Sequence, residues 1–306
     1  MSMTAILDVD EPLINQNKRE LQMVEIRHKE TGDVLATVDA ETLSGADLRE
    51  MFLEDADLKD ADLSNTLLNF ADLGNAELSG ANLENASLSG ANMAGVNLKG
   101  ANLNYAKLGA EVASSAAILR ECDLSGATLT RADLREVELR QSNLEGADLS
   151  RADMRGADFF RCNLKNVTAC NALFIKANLR EADMSNADLS DSHLNDANMI
   201  RIRLVNAILE SNAPEGFTVI NLANLESADL SNARMRNISA EDTNMKHANL
   251  TNVDLTNAVM GGAILRRANV DGANFEGVEL ATVTMEFANF SKALNAKYPS
   301  YKTNLR

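Results

Sequence analysis

The sequence predicts an all-β solenoid, a chain wound into stacked coils, and two observations carry that prediction. A large apolar residue recurs every five positions over roughly 250 residues, and a small residue stands two places before it. The series runs from Leu43 in fives to Leu108, resumes at Leu119 and runs to Leu209, then resumes at Ile220 and ends at Phe290. Of its 48 centres, 46 are Leu, Met, Phe, Ile or Val, the exceptions being Ala169 and Ala240, and Ala holds the small position in 31 repeats.

A five-residue period selects the backbone. An α-helix turns about 100° per residue, so steps of five would smear the leucines around the cylinder. In a strand the small residue and the centre two places later share a face, but the next centre would fall on the opposite one. All centres stay inside only if the chain turns once per pentapeptide. Each repeat is therefore a short extended segment followed by a turn, and the coils enclose a continuous apolar interior. Asp, Asn, Ser and Gly, which fill most intervening positions, tolerate such turns.

Runs such as Ser44-Gly45-Ala46-Asp47-Leu48 and Glu145-Gly146-Ala147-Asp148-Leu149 resemble the repeats of the pentapeptide-repeat family over roughly residues 41–292. The resemblance implies a right-handed quadrilateral β-helix with four pentapeptides per coil. The 48 repeats would then make about 12 coils, a stack ~58 Å tall at the usual strand spacing. Residues 20 apart would stand in one vertical column.

An exposed end of such a stack needs a cap. Residues 24–28 and 34–38 alternate as strands around Lys29-Glu30-Thr31-Gly32-Asp33, so residues 21–40 are expected to form a hairpin cap after a mobile tail at 1–20. At the far end, 293–306 are expected to form a cap or tail, with Ser291–Lys297 making a short helical lid before Pro299. The register slips at 109–118 and 210–219 are either functional loops or indels that bulge a coil. Pro214, Glu215 and Phe217 in the second slip are candidate contact residues.

Composition narrows the function classes. The formal charge of −16 opposes nucleic-acid binding by bulk attraction. Residues 1–108 hold nineteen acids and eight bases, whereas 119–209 hold fourteen acids and twelve bases. Three cysteines, no apolar run able to span a bilayer and no basic, secretory-type start lead to the expectation of a cytoplasmic protein away from membranes. His28, His193 and His247 lie far apart, no metal-ligand or phosphate-loop spacing occurs, and no enzyme chemistry, metal or cofactor is expected.

One surface feature rises above this background. On a 20-residue coil Arg120, Arg140 and Arg180 share a column with Phe160, and Arg135 and Arg155 stack in another. They form either a salt-bridged ladder with flanking acids such as Glu138 and Asp153 or a docking strip for an acidic or aromatic-seeking partner. The leading function is a non-enzymatic scaffold that binds another protein, its identity and its own oligomeric state left open. The alternative, implied by the family resemblance and the acidic charge, is a DNA mimic that inhibits or protects DNA gyrase, as quinolone-resistance and toxin-immunity members do.

Overall fold

The computed structural model describes residues 23–211 and 217–297. The tail at 1–20, Pro214, Glu215 and 298–306 lie outside the described residues. The architecture is all-β, with one 3-10 turn at Ala113–Ser115 as its helical element among the described residues.

Single-residue parallel bridges link positions 20 apart, as in Asp62 to Asn82 and Asp123 to Asn143. Four pentapeptides therefore close one coil, and the coil has four faces. The first face carries Leu43, Leu63 and Leu83, the second Leu48, Leu68 and Leu88, the third Leu53, Leu73 and Met93, and the fourth Leu58, Leu78 and Leu98. Between coils the backbone bonds are regular. The centre N–H donates to the carbonyl before the centre above, as Leu149 to Thr168 at 2.7 Å, and Asp148 donates down to Ala127 at 3.0 Å.

The corners are tight. The N–H of the small residue donates to the preceding centre's carbonyl, as Ala152 to Leu149 at 3.0 Å, closing a four-residue turn. The third residue of that turn has a positive φ, from 53° to 62° at residues as varied as Glu, Arg, Phe, Leu, Lys, Asn and Asp and from 65° to 75° at glycines. Gly90, with φ 75°, also clears a path, because a Cβ there would meet the Phe70 ring at 2.4 Å.

Inside, the centres and small residues are almost fully buried in one continuous core. Ala169 leaves a narrow centre on the first face of a coil that also carries Phe159 and Phe174, whose rings meet at 5.9 Å. The small centre offsets two large ones, so the cross-section keeps its volume. Ala240 stands between Met235 and Met245, whose flexible side chains fill irregular space. Buried hydroxyls at the small position close on the turn carbonyl, as Thr66 to Leu63 at 2.7 Å and Ser192 to Leu189 at 2.6 Å.

Each register slip is a six-residue insertion at one corner of a coil. Lys107 bridges both Ser87 and Asp133, while Ile118 bridges Asn92, so Leu108 to Leu119 is a single step from the second face to the third. That step carries six additional residues, and bridges spanning it join positions 26 apart. The Ala117 N–H still donates to Leu108 O at 2.8 Å, the same kind of bond that closes most ordinary corners. The extra residues leave the coil between two clamped ends. Gly109 starts the excursion where a Cβ would lie 2.5 Å from the Arg135 backbone nitrogen. The second slip likewise inserts six residues, between Leu209 on the first face and Ile220 on the second, as the bridge from His193 to Val219 shows.

At the N-terminal end, β1 (Met23–His28) and β2 (Val34–Asp39) pair antiparallel around a turn containing Gly32 at φ 74°. β1 also pairs antiparallel with β3 (Ala56–Asp57), covering the open edge of the first coil on its fourth face, and Ile26 is buried beneath it. At the other end the expected helical lid is corrected. The described residues of Ser291–Lys297 contain no helix, and Leu294 bridges Asn274 as one more pentapeptide segment. Leu294 N donates to Ala273 O at 2.8 Å and Phe275 N to Leu294 O at 2.9 Å. An open coil edge offers bonds to every residue laid on it, whereas a seven-residue helix is marginal by propensity alone.

The stacking predicts a steep cost for a missing centre. Leu149→Ala should lower the unfolding free energy by about 2–5 kcal/mol, read as a fall in urea midpoint. An unchanged midpoint would place Leu149 outside the core.

Candidate functional site

Each outward surface derives from three positions of the repeat. The residue before the centre is mostly Asp or Asn because its side-chain oxygen accepts the N–H two residues on, as Asp158 from Phe160 at 3.0 Å and Asp148 from Ser150 at 2.9 Å. An Asn there has a second use. Its Nδ2 donates to the same position one coil below, as Asn163 to Asn143 at 2.9 Å and Asn198 to Asn178 at 3.2 Å. An aspartate can accept from above but has nothing to donate downward, so Asp123 forms the foot of its ladder, receiving Asn143. The residue after the centre and the corner residue point outward and carry most of the arginines, while many of the acids stand before the centre.

Arg120, Arg140, Phe160 and Arg180 stand in one column on the third face. Arg120 reaches Glu138 at 2.6 Å, and Arg140 reaches both Glu138 at 3.2 Å and Asp158 at 2.7 Å. This lower part is a ladder in which two bases meet two acids. The upper part is arranged differently. Glu181, a corner residue, is shared by Arg161 at 2.8 Å, Arg180 at 3.1 Å and Arg201 at 3.7 Å. Its carboxyl is held below the usual carboxylate range, first by the hydrogen bond from Arg161. Arg161 and Arg180 also lie over the Phe160 ring, at 4.8 and 5.7 Å from its centre.

Arg135 and Arg155 stack on the second face beside the first insertion. Arg155 pairs with Asp153 at 2.6 Å, and Arg135 pairs with Asp133 at 2.8 Å and with Glu111 of the insertion at 2.5 Å. With Ala110, Glu111 and Glu136 they line a cavity of about 160 Å³. Phe217, at the end of the second insertion, is exposed. The structure thus brings the two arginine columns to neighbouring faces but leaves Phe217 apart from both.

Corner residues are the part that column counting from the centres passes over. Arg161, Glu181 and Arg201 form their own 20-residue column, and the turn brings them against Arg180 and Phe160. The spacing is present in the sequence; the lateral reach of the corner is not.

The thiols are structural. Cys122 and Cys162 are buried at the small position and donate to the carbonyls of Met93 and Leu139, each at 2.9 Å. Burial pushes both thiols up to about 12, and burial with nearby Asp188 raises Cys170 to about 11. Among the described residues no cluster of His, Cys, Asp and Glu is arranged to hold a metal ion, and no helix is long and apolar enough to cross a membrane.

A coil of four pentapeptides, Ala and Leu inward and Asp or Asn before each centre, defines a class, and comparison with known families agrees. Eight copies of the family described as Pentapeptide repeats match residues 42–80, 76–109, 117–156, 129–166, 157–196, 172–210, 223–262 and 260–294. The chain belongs to the pentapeptide-repeat family. Among solved structures it is similar to HetL, a pentapeptide-repeat protein involved in heterocyst differentiation regulation from the cyanobacterium Nostoc. That likeness has 26% identity and a TM-score of 0.51, covering 70% of this chain and 92% of HetL. It is also similar to QnrB1, a plasmid-mediated fluoroquinolone resistance protein, at 16% identity and a TM-score of 0.40, over 61% of this chain and 96% of QnrB1. No curated protein sequence matches it.

The thiol environment sets a reactivity order, since the thiolate is the nucleophile. At pH 8 iodoacetamide should label Cys170 slowly and leave Cys122 and Cys162 intact until denaturant is added, as read by peptide mass spectrometry. Fast native labelling of Cys122 would contradict its burial.

Proposed function

We propose that this protein is a non-enzymatic scaffold, acting in the cytoplasm, that holds another protein against a side face of its solenoid. The observation that carries the reading is the division of labour within each pentapeptide. The centre and small residue are consumed by the core, the residue before the centre by turn and ladder bonds, and free chemical variety is left to the two outward positions. Those positions carry the guanidinium and aromatic columns of the third face, on a chain whose net charge is −16. HetL's described involvement in regulation fits a protein that works by docking, and the repeats supply a rigid, regular surface for it.

The acidic first third, with nineteen acids and eight bases in residues 1–108, favours the gyrase-directed DNA mimic as a second reading. It ranks lower because the middle of the stack, where a duplex mimic must be negative, carries the arginine columns.

Capture from extract of the producing cells, followed by lysine cross-linking, tests the scaffold reading. A partner is expected to cross-link to outward lysines of the coils, such as Lys165 or Lys246, and not only near the two ends. Failure to retain any protein stoichiometrically would sink the reading, and stoichiometric inhibition of gyrase supercoiling would promote the mimic over it.

A further inference from the structure

The guanidinium column of the third face is not electrically uniform along its length. Below Phe160, Arg120 and Arg140 are matched one for one by Glu138 and Asp158. Above it the balance fails. Arg161, Arg180 and Arg201 share the single carboxylate of Glu181, and around the corner on the fourth face Lys165 and Arg203 share Asp183, at 3.5 and 3.4 Å. Five bases thus converge on two acids.

Depth sharpens the imbalance. The side chains of Glu181 and Asp183 are only 18% and 22% exposed, whereas those of Arg201, Arg203 and Arg161 are 65%, 57% and 57% exposed. The acids form an inner layer that positions the bases, and solvent meets the cations. Phe160 lies at the lower border under two guanidinium groups. Of the flanking carboxylates, Asp158 is paired with Arg140, whereas Asp229 and Glu145 accept only from the neutral Ser231, Asn249 and Asn163 and keep their negative charge at the borders of the zone. On a protein of net charge −16 a locally positive edge attracts carboxylates at short range, while the rest of the surface repels them.

We propose that this edge between the third and fourth faces, centred on Arg161, Arg201 and Arg203, docks a carboxylate-rich segment of a partner protein. The assignment rests on the scaffold reading and names the chemistry of its partner. An acidic peptide fits better than a nucleic acid because the excess of bases spans only about three coils and gives way to surface carrying the carboxylates of Asp229 above and Glu145 below. A phosphate backbone long enough to make several contacts would run into that surface. Guanidinium groups already fixed by Glu181 and Asp183 lose little freedom when they bind, which favours a specific contact over loose attraction.

A fluorescein-labelled decaglutamate peptide tests this directly, with decaglutamine and a ten-residue oligothymidylate as comparison probes, titrated by fluorescence anisotropy at low and physiological salt. The full chain should bind decaglutamate, bind decaglutamine no better than background, and weaken as salt rises. The variant R161Q/R201Q/R203Q should lose about tenfold or more in affinity, equivalent to about 1.4 kcal/mol, with an unchanged circular dichroism spectrum. R120Q/R140Q, which alters the balanced ladder, should stay within about twofold of the parent. Equal losses in the two variants, or oligothymidylate binding more tightly than decaglutamate, would overturn the assignment. So would absent decaglutamate binding in a protein that still captures its partner, an outcome that leaves the scaffold reading in place.

Discussion

Everything in this structure depends on one backbone event, the left-handed residue at each corner. It turns the chain between a centre and the next small residue, and without it successive leucines would alternate between inside and outside. Glycine and asparagine adopt that conformation readily, but here Glu136, Arg161, Lys176 and Phe287 adopt it too. The left-handed region costs an ordinary L-residue about 1–2 kcal/mol, comparable with the ~2 kcal/mol from burying one leucine. The corner is held because it is over-determined: the turn bond closes it from within the coil, and inter-coil bonds fix it from above and below. Regularity is therefore a requirement of this fold, since each coil supplies the template on which its neighbour's strained corners are fixed.

The same templating explains what is legible in the sequence and what is hidden. The interior is readable because Ala147, Leu149, Ala152 and Met154 each have only one direction open to them once the five-residue period is seen. Local propensity suggests a helical lid over Ser291–Lys297, but propensity takes no account of the open coil edge, which supplies Leu294 with two backbone bonds. The slips look like eleven-residue interruptions between centres. They are single steps between adjacent faces with six residues added, as the bridges joining positions 26 apart reveal. On the surface, the column of Arg120, Arg140 and Arg180 can be counted from the centres. The convergence of Arg161, Arg180 and Arg201 on Glu181 cannot, because it depends on how far a corner side chain leans over the neighbouring face.

Charge follows the architecture with some economy. Asp and Asn before the centre serve the turn first and the column second, so much of the negative charge of −16 is a by-product of turn formation. Asp133, Asp183 and Asp254 keep carboxyl groups below their usual range despite burial, through hydrogen bonds from the residue two places on. Positive charge has no such structural duty. Where arginines accumulate at outward positions in excess of acids, as around Glu181, their presence calls for a role beyond holding the coil.

The central claim is that a coil is closed by four pentapeptides, so within the uninterrupted run 119–209 every column survives only the removal of whole coils. Deleting the 20 residues 139–158 joins Glu138 to Phe159 and keeps every column, whereas deleting the 18 residues 139–156 places later centres off the interior. Thermal unfolding followed by circular dichroism separates them. The 20-residue deletion should retain the parent β spectrum and a single cooperative transition, and the 18-residue deletion should lose both. Two deletions that melt alike, both folded or both unfolded, would contradict the account.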